Sequence, residues 1–207
     1  MQVIAVVASK GGVGKTTVAN VLAGLLSPLG KVELWDTDCN QYSSETMSFS
    51  DLLSYPVVTV PDLLSFSQGL KNNSSDYIII DTAPHSHDSD LFVKILTSAD
   101  LVIGVTRPLP NDALAFEKIM LPALSTIKTK KVLLLNQRNH IRSAIQNEAE
   151  NLIHDRIGSE IEVLETALHH RASYAAIGYF EEDPKADKKR IEETANLLDE
   201  LKAKELL

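Results

Sequence analysis

The sequence predicts an α/β protein built on a doubly wound, mostly parallel sheet with helices on both faces. Short apolar runs rich in β-branched residues alternate with segments of helical length, which is the pattern of buried parallel strands. A glycine-rich segment follows the first run, and a polar residue follows each of the others. The runs are residues 3–8, 32–35, 77–80, 101–105 and 132–135.

Six helices are predicted between and after these strands. Asn111 and Asp112 begin one of them and Asp183-Pro184 begins the last, because side-chain oxygens and proline favour a helix N-terminus. The stretch from residue 41 to residue 75 is poorly patterned, with room for one strand at residues 56–60. The helices are expected near residues 16–28, 61–70, 88–98, 111–126, 142–156 and 186–205.

The composition is that of a single globular domain spanning residues 1–207. Its 44% hydrophobic content is ordinary, and no apolar stretch approaches the roughly 20 residues that span a bilayer. The one cysteine, Cys39, cannot form an internal disulfide or hold an iron–sulfur cluster within one chain, which fits a reducing cytosol. These features predict a cytoplasmic protein with no membrane partner.

The charges are unevenly distributed along the chain. A formal net charge of −8 argues against general affinity for nucleic acid. However, the stretch from residue 118 to residue 147 holds no acidic residue and several basic ones, which are Lys118, Lys128, Lys130, Lys131, Arg138 and Arg142. A second basic group, mixed with acids, consists of Lys185, Lys188, Lys189 and Arg190. Each group is either a candidate surface for nucleic acid or only a solvated face.

Residues 9–17 read S-K-G-G-V-G-K-T-T and lie between the first strand and a helical pattern, which is the context of a phosphate-binding loop. Small residues let the main chain wrap a phosphate with its N–H groups at the head of a helix. Lys15 is expected to reach the β- and γ-phosphates, and the Thr16 hydroxyl to bind Mg²⁺. The predicted nucleotide-binding residues are Lys10, Gly11, Gly12, Val13, Gly14, Lys15, Thr16 and Thr17.

Polar residues at the ends of the other strands are expected near this loop. Ligands of doubly wound sheets bind beyond the carboxyl ends of the strands, which predicts that Lys15, Asp36, Asp38, Asp81 and Asn136 converge on one rim. Asp81 ends an isoleucine-rich strand, a Walker B arrangement in which the carboxylate holds Mg²⁺. The alternative for Asp81 is a strand-end acid that caps the next turn.

The loop departs from the strict G-x-x-x-x-G-K-[ST] pattern at Ser9 and carries a second lysine, Lys10. The segment K-G-G-V-G-K-T-T resembles the deviant Walker A loop of the ParA/MinD family of P-loop ATPases, and most closely that of small ParA-type partition proteins. The resemblance implies that Lys10 is the signature lysine, which reaches across a dimer interface to the nucleotide of the other subunit. The alternative is that Lys10 is a solvated loop charge.

The D-T-D segment at residues 36–38 resembles the D-x-D element that the family places after its second strand. Side chains two residues apart on a strand point to the same side, so the two carboxylates should have different partners where the strand ends and the chain turns between them. The resemblance makes Asp38 the candidate for positioning the attacking water, because phosphoryl transfer needs placement more than a strong base. It places Asp36 with Thr16 and Asp81 in the predicted Mg²⁺ site.

Two later segments extend the resemblance. Relatives commonly have an asparagine that reads adenine at the position corresponding to Asn136, directly after the apolar run of residues 132–135. The Asn136 amide offers both a donor and an acceptor for the adenine edge. A loop-starting asparagine is also common for turn geometry alone. Arg171 resembles an arginine that the family has before a short helix. Two roles stay open for it, which are contact with DNA and support of the nucleotide pocket. The adjacent His169 and His170 are badly spaced for a shared metal.

The resemblance implies an ATPase that hydrolyses ATP to ADP and phosphate with Mg²⁺, with Lys10, Lys15, Asp36 and Asp38 as its catalytic residues. It also implies a homodimer with two ATP molecules at the interface that binds DNA nonspecifically and so associates with the nucleoid. A ParB-like or other adaptor would stimulate hydrolysis and release the DNA. Such proteins partition or position plasmids, chromosomes or large cytoplasmic assemblies.

Two other functions stay open. A MinD-like ATPase at the membrane would need a basic amphipathic C-terminal helix, whereas residues 191–207 hold five acidic residues and two lysines. An ATP-dependent ligase of the dethiobiotin synthetase type shares the fold and a related phosphate loop, but it has no use for a lysine acting on the other subunit.

Overall fold

Seven parallel strands form one sheet in a computed structural model that describes residues 1–38, 53–83, 89–141, 143–176 and 187–207. Their order across the sheet is β3-β2-β4-β1-β5-β6-β7. The central strands are buried on both faces, which is why their sequences are continuous apolar runs. The strands are β1 (Gln2–Val7), β2 (Val32–Asp36), β3 (Val57–Thr59), β4 (Tyr77–Asp81), β5 (Leu101–Thr106), β6 (Lys130–Arg138) and β7 (Glu162–His169).

Helices cover both faces of this sheet. One apolar layer forms between the sheet and the helices α1 and α7, and the other forms under α2, α3 and α4, where Trp35 packs edge-on against Phe66. The helices are α1 (Lys15–Leu26), α2 (Leu63–Asn72), α3 (Asp90–Ser98), α4 (Pro110–Ala115), α5 (Leu121–Ser125), α6 (Ala144–Leu152) and α7 (Lys188–Ala203). Single π-helical turns at Phe116–Met120 and Ile153–Ile157 continue α4 into α5 and extend α6.

The doubly wound parallel sheet is therefore confirmed, as are the five apolar strands, the strand within residues 56–60 and the six helical regions. Strand β7, at the edge of the sheet, was not predicted, because its sequence E-V-L-E-T-A-L-H is neither a continuous apolar run nor a regular alternation of polar and apolar residues. The predicted helix start at Asp183-Pro184 lies outside the described residues. The N-cap of α7 is Asp187, whose carboxylate accepts hydrogen bonds from the N–H groups of Lys189 and Arg190.

No helix in the described part of the chain is long and apolar enough to cross a bilayer.

Because all strands of the sheet are parallel, their carboxyl ends lie along one edge, and the loop after β1 lies at the centre of that edge. Ligand sites of doubly wound sheets occur at this edge.

Candidate functional site

The loop between β1 and α1 has the backbone conformation of a phosphate-binding loop. Gly12 and Gly14 adopt φ angles of 74° and 88°, in the left-handed region that favours glycine. Gly14 is the N-cap of α1 and has no side chain to cap it, so the first N–H groups of the helix are available to an anion. Val13 is buried and anchors the loop against the core.

Two side-chain amides from the end of β6 hold this loop from one side. The Asn136 amide nitrogen donates to the Val13 carbonyl at 2.8 Å, and the Gln137 amide nitrogen donates to the Gly12 carbonyl at 3.1 Å. A Cβ atom on Gly14 would lie 2.1 Å from the Asn136 nitrogen, so only glycine fits there. Gln137 itself has a φ of 55°, which aims its side chain at the cost of some strain.

The Walker lysine and threonine meet the predicted Walker B acid. Lys15 Nζ lies 2.9 Å from Asp81 Oδ1, and the Thr16 hydroxyl donates to Asp81 Oδ2 at 2.6 Å. Lys15 and Asp81 are both buried. Each of the three groups has a predicted role towards phosphate or Mg²⁺, and in this structure they satisfy one another.

Asp36 lies beside this group. Strands β2 and β4 pair with Asp36 in register with Asp81, which brings the two carboxylates together. The pKa of Asp36 is raised, mainly by burial and further by the negative charge of Asp81; the hydrogen bond from the Asp38 N–H and the charge of Lys15 oppose this only in part. A carboxylate in this setting gains from a nearby cation.

Asp38 occupies a different position from Asp36, because β2 ends at Asp36 and Asp38 lies beyond it. Its N–H donates to Asp36 Oδ1 at 2.8 Å, which turns the chain at this point. Asp38 lines a cleft of about 340 Å³ that opens over the phosphate loop. The cleft is also lined by Lys10, Gly11, Gly12, Gly14, Lys15, Thr16, Thr17 and Gln137.

The donors around this cleft fit Mg²⁺ bound together with a nucleotide. The described residues hold no cluster of three or more His, Cys, Asp or Glu side chains arranged to bind a metal by themselves. Thr16, Asp36 and Asp81 supply oxygen atoms only. Mg²⁺ typically takes one or two protein ligands and completes its shell with waters and phosphates, so this modest set suits it.

Lys10 points to a different carboxylate. Its Nζ lies 3.0 Å from Asp112 Oδ1 and 3.1 Å from the Asn111 carbonyl oxygen. Asp112 is buried in the first turn of α4, and its other oxygen accepts from Arg107 Nε. Within one chain Lys10 is thus paired, whereas a solvated loop charge would have no such partner.

Four of the residues around the site have contacts that the sequence did not reveal. Asp112 was expected only as a helix start, and Arg107 and Gln137 carried no motif. The place of Gln137 next to Asn136, which directly follows a predicted strand, is the one signal that could have found it. Asn136 lies at the expected edge, but its amide is engaged with the phosphate loop, and its reading of adenine stays a prediction.

The structure places the other singled-out residues away from the cleft. Arg171 is held by Glu193 and Asp187 where β7 meets the start of α7, which gives it a structural contact rather than one to the pocket. Cys39, which follows Asp38 in the sequence, lies outside the described residues. So do Arg142 and Lys185.

The basic stretch of residues 118–147 does not form one surface. Lys131 Nζ donates to the carbonyls of Leu124 and Ile127 at the end of α5. Arg138 forms a two-point ion pair with the buried carboxylate of Glu150. These two cations serve packing, which a count of charges along the sequence cannot reveal.

Comparison with known proteins identifies one curated relative. The chain is 28% identical over 179 residues to the maintenance of carboxysome distribution protein A of Halothiobacillus neapolitanus, covering 83% of this chain and 81% of the relative. No protein-family model matches the chain.

Solved structures of similar fold cover nearly the whole chain. Apo McdA of Cyanothece superposes with a TM-score of 0.68 at 16% identity, over 96% of this chain and 99% of that one. A plasmid partition protein of Borrelia burgdorferi bound to AMPPNP superposes with a TM-score of 0.68 at 19% identity, over 98% of this chain and 99% of that one. The cell division ATPase MinD of Pyrococcus furiosus superposes with a TM-score of 0.67 at 18% identity, over 98% of each chain.

The curated relative, the shared fold and the two-lysine loop agree. The chain is similar in sequence to that relative and in fold to proteins of the ParA/MinD type. This similarity agrees with the prediction that Lys15, Thr16 and Asp81 form the phosphate end of a nucleotide site, and the role of Lys10 as a signature lysine stays a prediction.

Proposed function

We propose that this protein is an ATPase of the ParA/MinD family that dimerises around two ATP molecules, binds DNA nonspecifically in that state and positions a cargo in the cytoplasm. The observation that carries the proposal is the pairing of Lys15 and Thr16 with Asp81 beneath a loop that holds a second lysine. The relative's name concerns carboxysome distribution, which makes a large protein assembly the first cargo to test.

The residues of the site account for hydrolysis in terms of placement and charge. Lys15 exchanges the Asp81 carboxylate for the β- and γ-phosphates, and the N–H groups of the loop cradle the same oxygens. Thr16, Asp81 and Asp36 would hold Mg²⁺, which supplies charge neutralisation at the phosphates. Asp38, at the cleft, orients the attacking water, and Lys10 of the partner subunit stabilises charge on the γ-phosphate.

Apolar side chains support dimerisation at the nucleotide edge. Leu109, Ile141 and Ile145 are 37%, 88% and 59% exposed, and all three follow the carboxyl ends of β5 and β6. Helices α4 and α6, which carry or follow these residues, pack against each other. Exposed apolar residues beside a ligand cleft are typical of an interaction surface.

The two basic groups differ in their position relative to that edge. Lys130 and Lys131 begin β6, whereas the phosphate loop lies at the opposite ends of the strands, about 30 Å away for a strand of this length. Lys188 and Lys189 are exposed in the first turn of α7, at the nucleotide edge. Dimerisation would bring the two copies of this second pair to one face, so we assign the DNA contact to them.

The experiment compares the protein with ATP, with ADP and without nucleotide, in the presence of Mg²⁺. Light scattering is expected to detect a dimer only with ATP, and Lys10→Ala is expected to abolish that dimer while nucleotide still binds. Asp38→Ala should prolong the ATP dimer by slowing hydrolysis about 100-fold or more. A monomer under every condition contradicts the proposal and favours a ligase-type enzyme.

DNA binding has its own control. Lys188→Glu with Lys189→Glu is expected to abolish binding of the ATP dimer to arbitrary duplex DNA, and the affinity of the unchanged protein should fall steeply with salt. The matched pair Lys128→Glu with Lys130→Glu makes the same charge change at the far edge and should bind normally. Binding to anionic vesicles instead of DNA would support the MinD-like alternative.

A further inference from the structure

Lys10 has a resting position within its own chain. Its ammonium group lies 3.0 Å from Asp112 Oδ1, and its side chain is 36% exposed whereas that of Asp112 is 4% exposed. A lysine that must act on the nucleotide of another subunit first has to leave this carboxylate. The contact therefore opposes dimerisation.

Asp112 is built to release one cation and keep another. Removing the sole partner of a buried carboxylate is strongly destabilising, because an uncompensated charge is left behind. Here Arg107 Nε donates to the second oxygen of Asp112, so the carboxylate stays paired after Lys10 departs. Burial alone would raise the pKa of Asp112, but the hydrogen bonds from Arg107 and Lys10 hold it below its usual value.

The geometry of the cleft makes the exchange possible. Lys10 lines the same cleft as Lys15 and Asp38, so its flexible side chain can swing from Asp112 towards the opening without any movement of the backbone. Arg107 follows β5 and Asp112 lies in α4, so both are carried by rigid elements. Only the lysine of this group lies on the phosphate loop.

We infer that Asp112 is a positioning residue that holds Lys10 on its own subunit in the nucleotide-free monomer, and that Arg107 sets how readily Asp112 gives it up. This inference rests on the proposed function, because the released lysine acts in the ATP dimer. The two residues should then act in opposite directions. Neutralising Asp112 frees Lys10, whereas neutralising Arg107 leaves Asp112 with Lys10 as its cation and strengthens the hold.

The first test needs neither nucleotide nor dimer. Nucleotide-free protein is treated with limiting acetic anhydride, and the modification of Lys10 is measured by mass spectrometry against the exposed Lys118 and Lys128 in the same sample. Asp112→Asn is expected to raise the relative rate at Lys10 about threefold, and Arg107→Gln to lower it. Equal rates in all three proteins, or a shift in the same direction for both variants, would overturn the inference.

The second test measures the ATP-dependent dimer. Since each dimer releases two contacts, a threefold effect per protomer becomes a change of about tenfold in the dimer Kd. Asp112→Asn should tighten the dimer and Arg107→Gln should weaken it. Glu162→Gln and Arg156→Gln are matched controls, because they remove one charge each from ion pairs elsewhere, with Lys204 and Glu117 respectively.

The two proposals fail separately. If the unchanged protein forms no dimer with ATP, the proposed function fails while the labelling result still reports on the Lys10–Asp112 contact. If the unchanged protein dimerises and Lys10→Ala does not, but Asp112→Asn leaves both Kd and labelling unaltered, the inference alone is wrong. Should Asp112→Asn unfold, as circular dichroism would show, Arg107→Gln carries both tests, and an unchanged Kd and labelling in that variant overturn the inference.

Discussion

Two regions of the molecule bury charged side chains against each other with different consequences. At the nucleotide edge, Lys15 pairs with Asp81 next to an open cleft. Where β7 meets α7, Glu193 accepts from Arg171 at 2.6 Å, from the Tyr174 hydroxyl at 2.8 Å and from the His169 N–H at 3.2 Å. Both clusters consist of carboxylates and cations, yet they differ in what else can replace a partner.

The difference lies in the surroundings of each carboxylate. Asp81 is bonded to side chains from a loop whose N–H groups and lysine suit a phosphate, so an incoming anion can compete for its partners. Glu193 is surrounded by groups of its own fold, including a backbone N–H and a tyrosine, and these hold its pKa below the usual value although burial opposes them. Exchangeable and permanent ion pairs are thus distinguished by the groups that can replace a partner rather than by burial or distance.

Lys15→Ala is the strongest way to test this comparison. We expect it to reduce nucleotide affinity by at least about 100-fold, because the main phosphate-binding cation is lost. Because the Thr16 hydroxyl still donates to Asp81 and the shortened side chain leaves its space open to the cleft that Lys15 lines, unfolding free energy should fall by only about 1 kcal/mol. Isothermal titration calorimetry and urea denaturation measure the two quantities, and a stability loss of several kcal/mol would remove the distinction between the clusters.

Glu193→Gln should show the reverse behaviour. It leaves Arg171 without its main partner in a site where no ligand replaces that partner. Unfolding free energy is therefore expected to fall by about 3 kcal/mol while nucleotide affinity stays unchanged. Glu162→Gln removes an exposed partner of Lys204 and serves as the control, with an expected loss below about 1 kcal/mol. Equal losses of unfolding free energy in the two variants, measured by urea denaturation, would contradict the structural role given to Glu193.

Asn136→Ala separates bracing of the phosphate loop from reading of the base. If its hydrogen bond to Val13 is what matters, affinity for ATP and GTP should fall together, by about tenfold for one lost buried hydrogen bond. Loss of ATP affinity with little change for GTP would instead support the adenine contact. Gln137→Ala removes the neighbouring bond to Gly12 and should weaken both nucleotides by a smaller and equal factor.

Asp36→Asn is expected to have the smallest effect, which is on thermal stability. The raised pKa of Asp36 decides whether the variant melts higher or lower. The folded protein disfavours the ionised carboxylate, so the contribution of this group to stability is complete below the ordinary aspartate pKa of 3.8 and is lost as pH rises through the raised value. The variant should therefore melt higher than the unchanged protein at neutral pH and equally at low pH. Asp199→Asn on the outer face of α7 is the control, and a variant that melts lower at neutral pH would contradict this reasoning.

Most of the fold and the core of the site were predictable because they depend on local sequence. Continuous apolar runs mark strands that are buried on both faces, and a lysine and threonine after spaced glycines mark a phosphate loop. Strand β7 was missed because this edge strand has neither a continuous apolar run nor a regular alternation of polar and apolar residues. The length of β6 and the order of the strands also placed the two basic groups apart, which no charge count could show.

The contacts of the site were less predictable because they join residues far apart in the chain. Lys10 and Asp112 are separated by 102 positions, and their pairing depends on β1 and β5 being neighbours in the sheet. Likewise, Gln137 reaches Gly12 only because its backbone adopts a positive φ, which the residue type does not announce. A sequence pattern identifies the chemistry of a residue, whereas its partner is set by topology.

The two amides at the end of β6 have a kinetic consequence. They fasten the phosphate loop to a strand two places away from β1 across the sheet, in addition to its covalent links to β1 and α1. A segment fixed at three points does not have to fold over an arriving nucleotide, so side chains such as Lys10 and Lys15 must make the adjustment. Because rotamer changes are far faster than loop closure, capture of the triphosphate should be limited by diffusion rather than by rearrangement of the loop.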